Sequence, residues 1–345
     1  MPMLDIFKDN AFSVTSLTDA INEIEYRPTR IEELGLFQET PVSTTSVSIE
    51  RIGDAIQLVP PTPRGGKGDS KANQQRSMKN LTVPHFLREW SVLADEVQNV
   101  REFGSETALE TVMSVVLAKI ADNTNDLDVT QEYSRLGALQ GIVTYADDTT
   151  LNLFNEFGVS QSGEVDFDLD NATPASGALR KACAGIVRAT RTAMGGTPFA
   201  GVHAFVGDTF FDQLISHPEV RETYKGWSEA AILRESYVGA DRGSNPIFMF
   251  GGIVFENYGA VAATGDGAKV GIDATKAKFF PVGARGMYRT YYAPAPYMDT
   301  VNTLGRKYYA KQENLDLDKG VYGETQTNAL HICTRPAALL RAKNT

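Results

Sequence analysis

Cysteine, tryptophan and histidine are scarce in this 345-residue chain, with two, two and four copies respectively. Cys183 and Cys333 are too few and too far apart in sequence for a disulfide framework or a cysteine zinc site, so a reducing cytosol is the expected compartment. Long apolar runs are missing as well. Nothing approaches the ~20 apolar residues of a membrane span, and Met1–Phe7 has neither the basic start nor the apolar core of a signal peptide. Positive charge is also in deficit. Thirty-three basic residues against 43 acidic ones give a formal net charge of −10, which argues against wholesale nucleic-acid binding. What remains is an ordinary globular balance, 42% hydrophobic and 22% charged, over a length suited to about two domains.

The familiar catalytic signatures are absent too. There is no G-x-S-x-G elbow, no H-E-x-x-H pair, and no G-x-G-x-x-G between a strand and a helix. Arg64–Gly68 superficially looks like a phosphate loop, but it lacks the G-x-x-x-x-G-K-[ST] spacing, and no helix pattern follows to supply a positive dipole. His85, His203, His217 and His331 are scattered. His203 sits inside a strand pattern and reads as a packed core residue, and Cys183, on the apolar face of a helix, reads as a small buried hydrophobe. Asp166, Asp168 and Asp170 alternate, as do Asp316 and Asp318. Carboxylates two apart on one strand face can hold calcium, but charges that block stray pairing at a sheet edge are the commoner use of that pattern. The expectation is therefore a protein with no catalytic residues, no cofactor and no metal.

The most informative segment is Pro60–Met78, a Gly/Pro-rich run with a basic surplus, flanked by the strand-like stretches Ala55–Val59 and Asn80–Pro84. A loop this long with no apolar content is uncommon inside a compact domain, and a two-stranded ribbon alone is marginal in water. An ordered arm of this kind needs support from outside its own core, which points to assembly. Between Arg64 and Lys79 the loop has five basic residues (Arg64, Lys67, Lys71, Arg76 and Lys79) against Asp69, whereas residues 1–50 hold three basic residues against nine acidic. Two readings stand side by side: attraction between copies, or two separately solvated charge runs.

Around the ribbon, Ser16–Asp19 has the form of a helix start that Pro28 terminates, and a short turn at Ile31–Leu34 stops at Gly35. Thr44–Ile49 reads as a strand and Gly53–Asp54 as a turn, and Ala94–Phe103 as a short helix. A strong helical pattern opens at Ser105 or Thr107 and runs to about Gln140. It is either one spine or two helices separated at Asn123. Ile142–Tyr145 and Leu151–Phe157 suggest a hairpin. After Thr173–Pro174, Ser176 is positioned to cap a helix closed by Gly195–Gly196. Val202–Val206 is a strand, and Asp208 is positioned to cap the next helix. Ile247–Glu256, Lys278–Val282, Met287–Tyr292 and Ala329–Thr334 are further strands. This interleaving indicates a mixed α/β domain.

The order of these pieces resembles the tailed-bacteriophage major capsid protein. The motifs that carry the resemblance are Tyr26–Pro28 with Arg30–Phe37, Leu93–Gln98, Gly283–Gly286, Asp299–Gly305, and Glu324–Asn328 before Thr334–Pro336. They span nearly the whole chain and are similar to the lambda-like branch, major capsid protein E. The resemblance implies an α+β, Hong Kong 97 type capsid fold. In it, residues 1–43 would form an N-arm and residues 44–90 a strand and extended E-loop. Residues 91–172 would be a peripheral P-domain with spine helix and hairpin, residues 173–295 an axial A-domain, and residues 296–345 a return to the P-domain.

The resemblance also implies a structural subunit rather than an enzyme. It would self-assemble into hexamers and pentamers of an icosahedral shell enclosing double-stranded DNA without sequence-specific contacts. Scaffolding, portal and decoration proteins would be its partners, with no membrane involved. Such a subunit is assembled in the host cytoplasm and resides in the virion. Arg64, Lys67, Lys71, Arg76 and Lys79 would then be intersubunit contacts. Some relatives of this fold join a loop lysine to an asparagine covalently, but the lambda-like branch is not known for that bond, and none is expected here. The alternatives are the shell of an encapsulin-like nanocompartment, an α/β enzyme with an unrecognised site, and a DNA-binding module using the basic loop.

Overall fold

The computed structural model describes residues 30–52, 76–97, 112–171, 173–225, 246–259, 261–262 and 269–345. The helix start at Ser16, the Ala55–Val59 flank, the Gly53–Asp54 turn and most of the basic loop fall outside them. So does the start of the long helix at Ser105 or Thr107.

The described part begins with a single turn, α1 (Arg30–Glu33), followed by Gly35 in the left-handed region at φ 58°, which stops it where the sequence indicates. Strands β1 (Gln38–Pro41), β2 (Ser46–Ile52), β3 (Arg76–Thr82) and β4 (Phe86–Leu93) follow, then the short α2 (Ala94–Val97). Helix α3 (Val112–Gln140) has 29 residues and is about 43 Å long at 1.5 Å per residue. It continues unbroken through Asn123. Thr124 Oγ1 donates to the Ile120 carbonyl at 2.7 Å and Thr130 Oγ1 to the Asp126 carbonyl at 2.8 Å, so these hydroxyls bond back into the helix instead of capping a new one. Of the two readings, the spine is the observed one.

Strands β5 (Ile142–Thr144) and β6 (Thr150–Asn152) make the expected hairpin, but Leu153–Phe157 corrects the second strand: it is helix α4. Asn152 Oδ1 accepts from the N–H groups of Phe154 and Asn155 at 3.0 and 3.2 Å, an N-cap that converts strand to helix. After β7 (Glu164–Asp166), helix α5 (Ala178–Met194) is capped at Gly177 and not at Ser176. The carboxylate that serves its first turn comes from Glu219, which accepts from the Leu179 and Arg180 N–H groups at 3.2 Å. The chain continues through β8 (Gly201–Val206), α6 (Asp208–Ser216) and α7 (Pro218–Lys225). Asp208 is the first residue of α6, with Gly207 at the cap, and its carboxylate instead holds Asn257 Nδ2 at 2.9 Å.

The single strand expected over Ile247–Glu256 is two, β9 (Ile247–Phe250) and β10 (Ile253–Asn257), folded back at Gly251 and Gly252 with φ 59° and 82°. The short pair β11 (Val261–Ala262) and β12 (Lys269–Val270) precedes β13 (Lys276–Val282), β14 (Tyr288–Tyr292), β15 (Tyr309–Asn314), β16 (Gly320–Thr327), β17 (Ala329–Cys333) and β18 (Leu340–Lys343).

The chain divides into two compact units, one drawn from Met1–Val47, Asn80–Ser134 and Arg289–His331, the other from Ser48–Lys79, Arg135–Tyr288 and Ile332–Thr345. In the first, the antiparallel sheet β15-β16-β4 packs against α3. Val116, Ile120 and Leu127 of the helix meet Trp90, Val92, Ala310 and Val321 of the strands. A polar seam runs beside that core. The Ile31 N–H donates to Glu132 Oε1 at 2.9 Å, the Tyr308 hydroxyl donates to Asp128, and the Tyr292 hydroxyl donates to Glu39 at 3.0 Å and Gln131 at 3.3 Å. Buried polar groups are thus bonded to one another.

The second unit is built on a six-stranded mixed sheet, order β7-β18-β13-β8-β10-β9. Alternation decides its faces. Val202, Ala204, Val206, Ile253, Phe255, Ala277, Phe279, Leu340 and Ala342 point to one side, where Leu179, Cys183 and Ile186 of α5 and Phe210, Phe211 and Leu214 of α6 cover them. On the other side His203 stacks on Phe280 at 5.3 Å, and Phe205 on Tyr258 at 4.7 Å.

Candidate assembly surfaces

Strands β2 and β3 form a two-stranded sheet of their own and, among the described residues, pair with no other strand. Their roots are held by Val47 and Leu81, both buried, and by the Val83 N–H donating to the Thr45 carbonyl at 3.0 Å. Farther along β3, Met78 is 72% exposed. Of the five basic residues, Arg64, Lys67 and Lys71 lie outside the described residues and Arg76 is the first residue of β3. Lys79 reaches Glu156 at 3.7 Å, with the lysine side chain mostly in solvent and the glutamate about one-third exposed. A pair this long and this exposed contributes little to stability.

A second exposed feature overlaps the Asp299–Gly305 motif, to which the sequence assigns no surface role. The turn at Met298–Thr300 and the residues after it present Met298 (88% exposed), Val301 and Leu304 to solvent. The turn is well fixed. Thr300 Oγ1 donates to the Ala295 carbonyl at 2.6 Å, Thr303 Oγ1 donates to the Thr300 carbonyl at 2.7 Å, and Asn302 holds φ 60°. In sequence these are three apolar residues in a short loop, and among the described residues no element covers them.

The groups weighed for chemistry are structural. Burial pushes the Cys183 and Cys333 thiols up to about 12, far from thiolate reactivity. His203 Nε2 lies 3.0 Å from the fully buried Glu256 carboxylate inside the sheet. His217 Nδ1 accepts from the Glu219 N–H at 3.3 Å, and burial lowers its pKa. Asp166 is in β7, but Asp168 sits at φ 50° in the following turn with its N–H on Asp166 Oδ1, so the alternating aspartates do not share a strand face. Asp316 and Asp318 belong to a 3-10 turn, not a strand. Among the described residues no three His, Cys, Asp or Glu groups converge to hold a metal, and no helix is long and apolar enough to cross a membrane. A cavity of about 500 Å³ at the end of α5 has one charged side chain, Arg191, and no carboxylate, histidine or cysteine in its lining.

The family model described as phage major capsid protein E matches residues 13–344. This chain belongs to that family. The major capsid protein of Pseudomonas phage KPP10 is 29% identical over 349 residues, covering 97% of each chain. That of Salmonella phage Felix O1 is 25% identical over 362 residues, covering 98% of each. A solved prophage protein of E. coli CFT073, described as a capsid protein, superposes with a TM-score of 0.57 at 12% identity, over 96% of this chain and 99% of that one. At that identity the likeness concerns fold, and the fold is the α+β, Hong Kong 97 type capsid architecture anticipated from the motifs. Family and relatives are capsid proteins, so this member is a structural head protein and not an enzyme.

Proposed function

We propose that this capsid protein assembles into hexamers and pentamers of an icosahedral shell enclosing double-stranded DNA, with the β2–β3 ribbon as the extended loop that crosses onto a neighbouring subunit. The observation that carries the reading is the ribbon itself, two strands that pair with each other and, among the described residues, with no other strand. Such a ribbon is marginal alone, and an obligate interface burying ~2,000–5,000 Å² between subunits would offset the cost of ordering it. In this scheme residues 1–43 are the N-arm, 44–90 the strand and E-loop, 91–172 and 296–345 the P-domain, and 173–295 the A-domain. Arg64, Lys67, Lys71, Arg76 and Lys79 make intersubunit contacts with acidic segments of adjoining copies. Scaffolding, portal and decoration proteins complete the head, which is assembled in the host cytoplasm.

The test is electron microscopy with sedimentation velocity on the purified chain, with and without a scaffolding protein, for the native sequence and for a deletion of residues 61–76. Closed shells or five- and six-fold rings from the native chain, lost in a still-folded deletion, are the expected result. Normal shells from the deletion would remove the ribbon from the mechanism. A folded native chain that stays monomeric under every condition would remove the assembly reading.

A further inference from the structure

Strands β13 and β18 run antiparallel with Lys276 opposite Lys343 and Lys278 opposite Arg341. Directly opposed residues point to the same side of a sheet. These four alternate with Ala277, Phe279, Leu340 and Ala342, which face the helices, so the cations share the other face. The result is a two-by-two grid of positive charge, although like charges directly opposite each other destabilise a sheet.

The neighbouring strand compensates only half of it. Parallel pairing of β7 with β18 sets Glu164 beside Arg341 and Asp166 beside Lys343. Glu164 is taken by Lys276 at 2.7 Å, and Asp166 lies 3.9 Å from Lys343. Arg341 Nε donates to the Ser162 carbonyl at 3.0 Å. Among the described residues no carboxylate comes within ion-pair distance of Lys278 or Arg341. Lys278 is also half-buried, and desolvation, followed by the charge of Arg341, depresses its pKa. An ammonium in that setting gains most from an anion brought to it from outside.

Resting on the shell reading above, we infer that this partly exposed patch of the sheet face binds backbone phosphates of the enclosed nucleic acid, with Lys278 and Arg341 as the contacting pair. The chemistry of the face favours a phosphate chain over an acidic protein. Protein partners bind mainly through aromatic or aliphatic anchors; the aromatic neighbours of the grid on this face, Phe205 opposite Lys278 and Phe280 two residues along the strand, are fully buried, so the part that reaches solvent here is charged. The exposed Val165 on β7 pairs with Ala342 and so belongs to the helix side. Phe205 and Phe280 beside the grid are fully buried and have no free face to stack on a base, so the contact positions the duplex without reading it. A residual charge of two per subunit is weak in isolation, but it is repeated once per copy along one continuous polyanion. This also assigns an inward orientation to that face, within a protein whose overall charge is strongly negative.

The test is lysine acetylation footprinting by mass spectrometry on DNA-filled particles, and on the same particles after heat release and nuclease digestion of the DNA. Acetylation of Lys278 should be severalfold lower in filled particles and should recover once the DNA is gone. Equal reactivity in both states overturns the inference. Protection that survives DNA removal also overturns it, because the face is then covered by protein. Failure to obtain particles at all counts against the shell reading instead.

Discussion

Gly323→Ala tests the spine-side core at one atom. Gly323 lies opposite Trp90 in the β16–β4 register, and the indole ring crosses the space where a Cβ would be placed. Trp90 is 6% exposed, and its Nε1 donates to Thr325 Oγ1 at 3.1 Å, so the ring is fixed from both sides. An added methyl must push it off that position. Overpacking of a well-filled core costs about 1–3 kcal/mol, and a displaced indole loses a buried hydrogen bond worth about 1 kcal/mol. Alanine recovers about 0.5–1 kcal/mol relative to glycine within a strand. The expected net loss is about 2 kcal/mol.

A double-mutant cycle separates this clash from any general effect on the strand. Trp90→Leu alone should cost about 3 kcal/mol as a large-to-small core change. In that background Gly323→Ala meets no ring and should be neutral or slightly stabilising, giving a coupling of about 2–3 kcal/mol between the two sites. The measurement is equilibrium urea denaturation of the unassembled subunit, followed by far-ultraviolet circular dichroism, for the four proteins. Additive effects, or a single Gly323→Ala cost below about 0.5 kcal/mol, would mean that Trp90 does not occupy the space above Gly323.

Three further outcomes follow from buried groups of the second unit. His203→Ala leaves the Glu256 carboxylate without its imidazole and should cost about 3–5 kcal/mol, whereas the paired change His203→Phe with Glu256→Leu should cost much less; equal costs would show that the pair is not coupled. Both cysteines, raised to about 12 by burial, should be silent to a thiol reagent at pH 8 in the native subunit and react together on unfolding, and fast native labelling at either would contradict that burial. His217 has a pKa depressed below its ordinary 6.5, so the unfolded chain binds the extra proton and stability falls as pH drops below about 6.5. His217→Gln should flatten the melting temperature between pH 6.5 and 5, and an unchanged slope would assign the acid sensitivity elsewhere.

Much of the architecture is legible in the sequence because periodicity and burial agree. The Leu179, Cys183, Ile186 and Met194 spacing marks the buried stripe of α5, and the Val202–Val206 run marks a central strand. The errors have local causes. Ile247–Glu256 reads as one apolar run, although Gly251–Gly252 is a hairpin signal that outweighs the hydrophobicity around it. Leu153–Phe157 is apolar enough for a strand, but Asn152 turns it into a helix through two hydrogen bonds that only a capping argument would find. Ser176 and Asp208 are good capping residues in poor positions, each one residue from a glycine that takes the role. The cation grid could not be read in sequence at all. Lys276 and Lys278 meet Lys343 and Arg341 from more than 60 residues away, and only the strand register shows that they are opposed.

Charge gives assembly a direction that salt can expose. Each copy has a net charge of −10, so copies repel at long range, yet Arg64–Lys79 holds five basic residues against one acidic, and residues 1–50 hold nine acidic against three basic. The Debye length falls from about 30 Å at 0.01 M to about 8 Å at 0.15 M salt. Added salt therefore removes the distant repulsion first and spares close ion pairs longest. If the basic loop meets acidic segments of neighbouring copies, assembly should strengthen as salt rises to roughly physiological levels and weaken well beyond them, as contact pairs are screened in turn. Light scattering across a salt series reads both limbs. Arg64→Glu, Lys67→Glu and Lys71→Glu together should abolish the high-salt decline by removing the attractive contacts, while the low-salt repulsion grows with the added negative charge. A native chain whose assembly rises monotonically with salt would leave the loop charge as mere solvation and transfer the work of cohesion to apolar contacts.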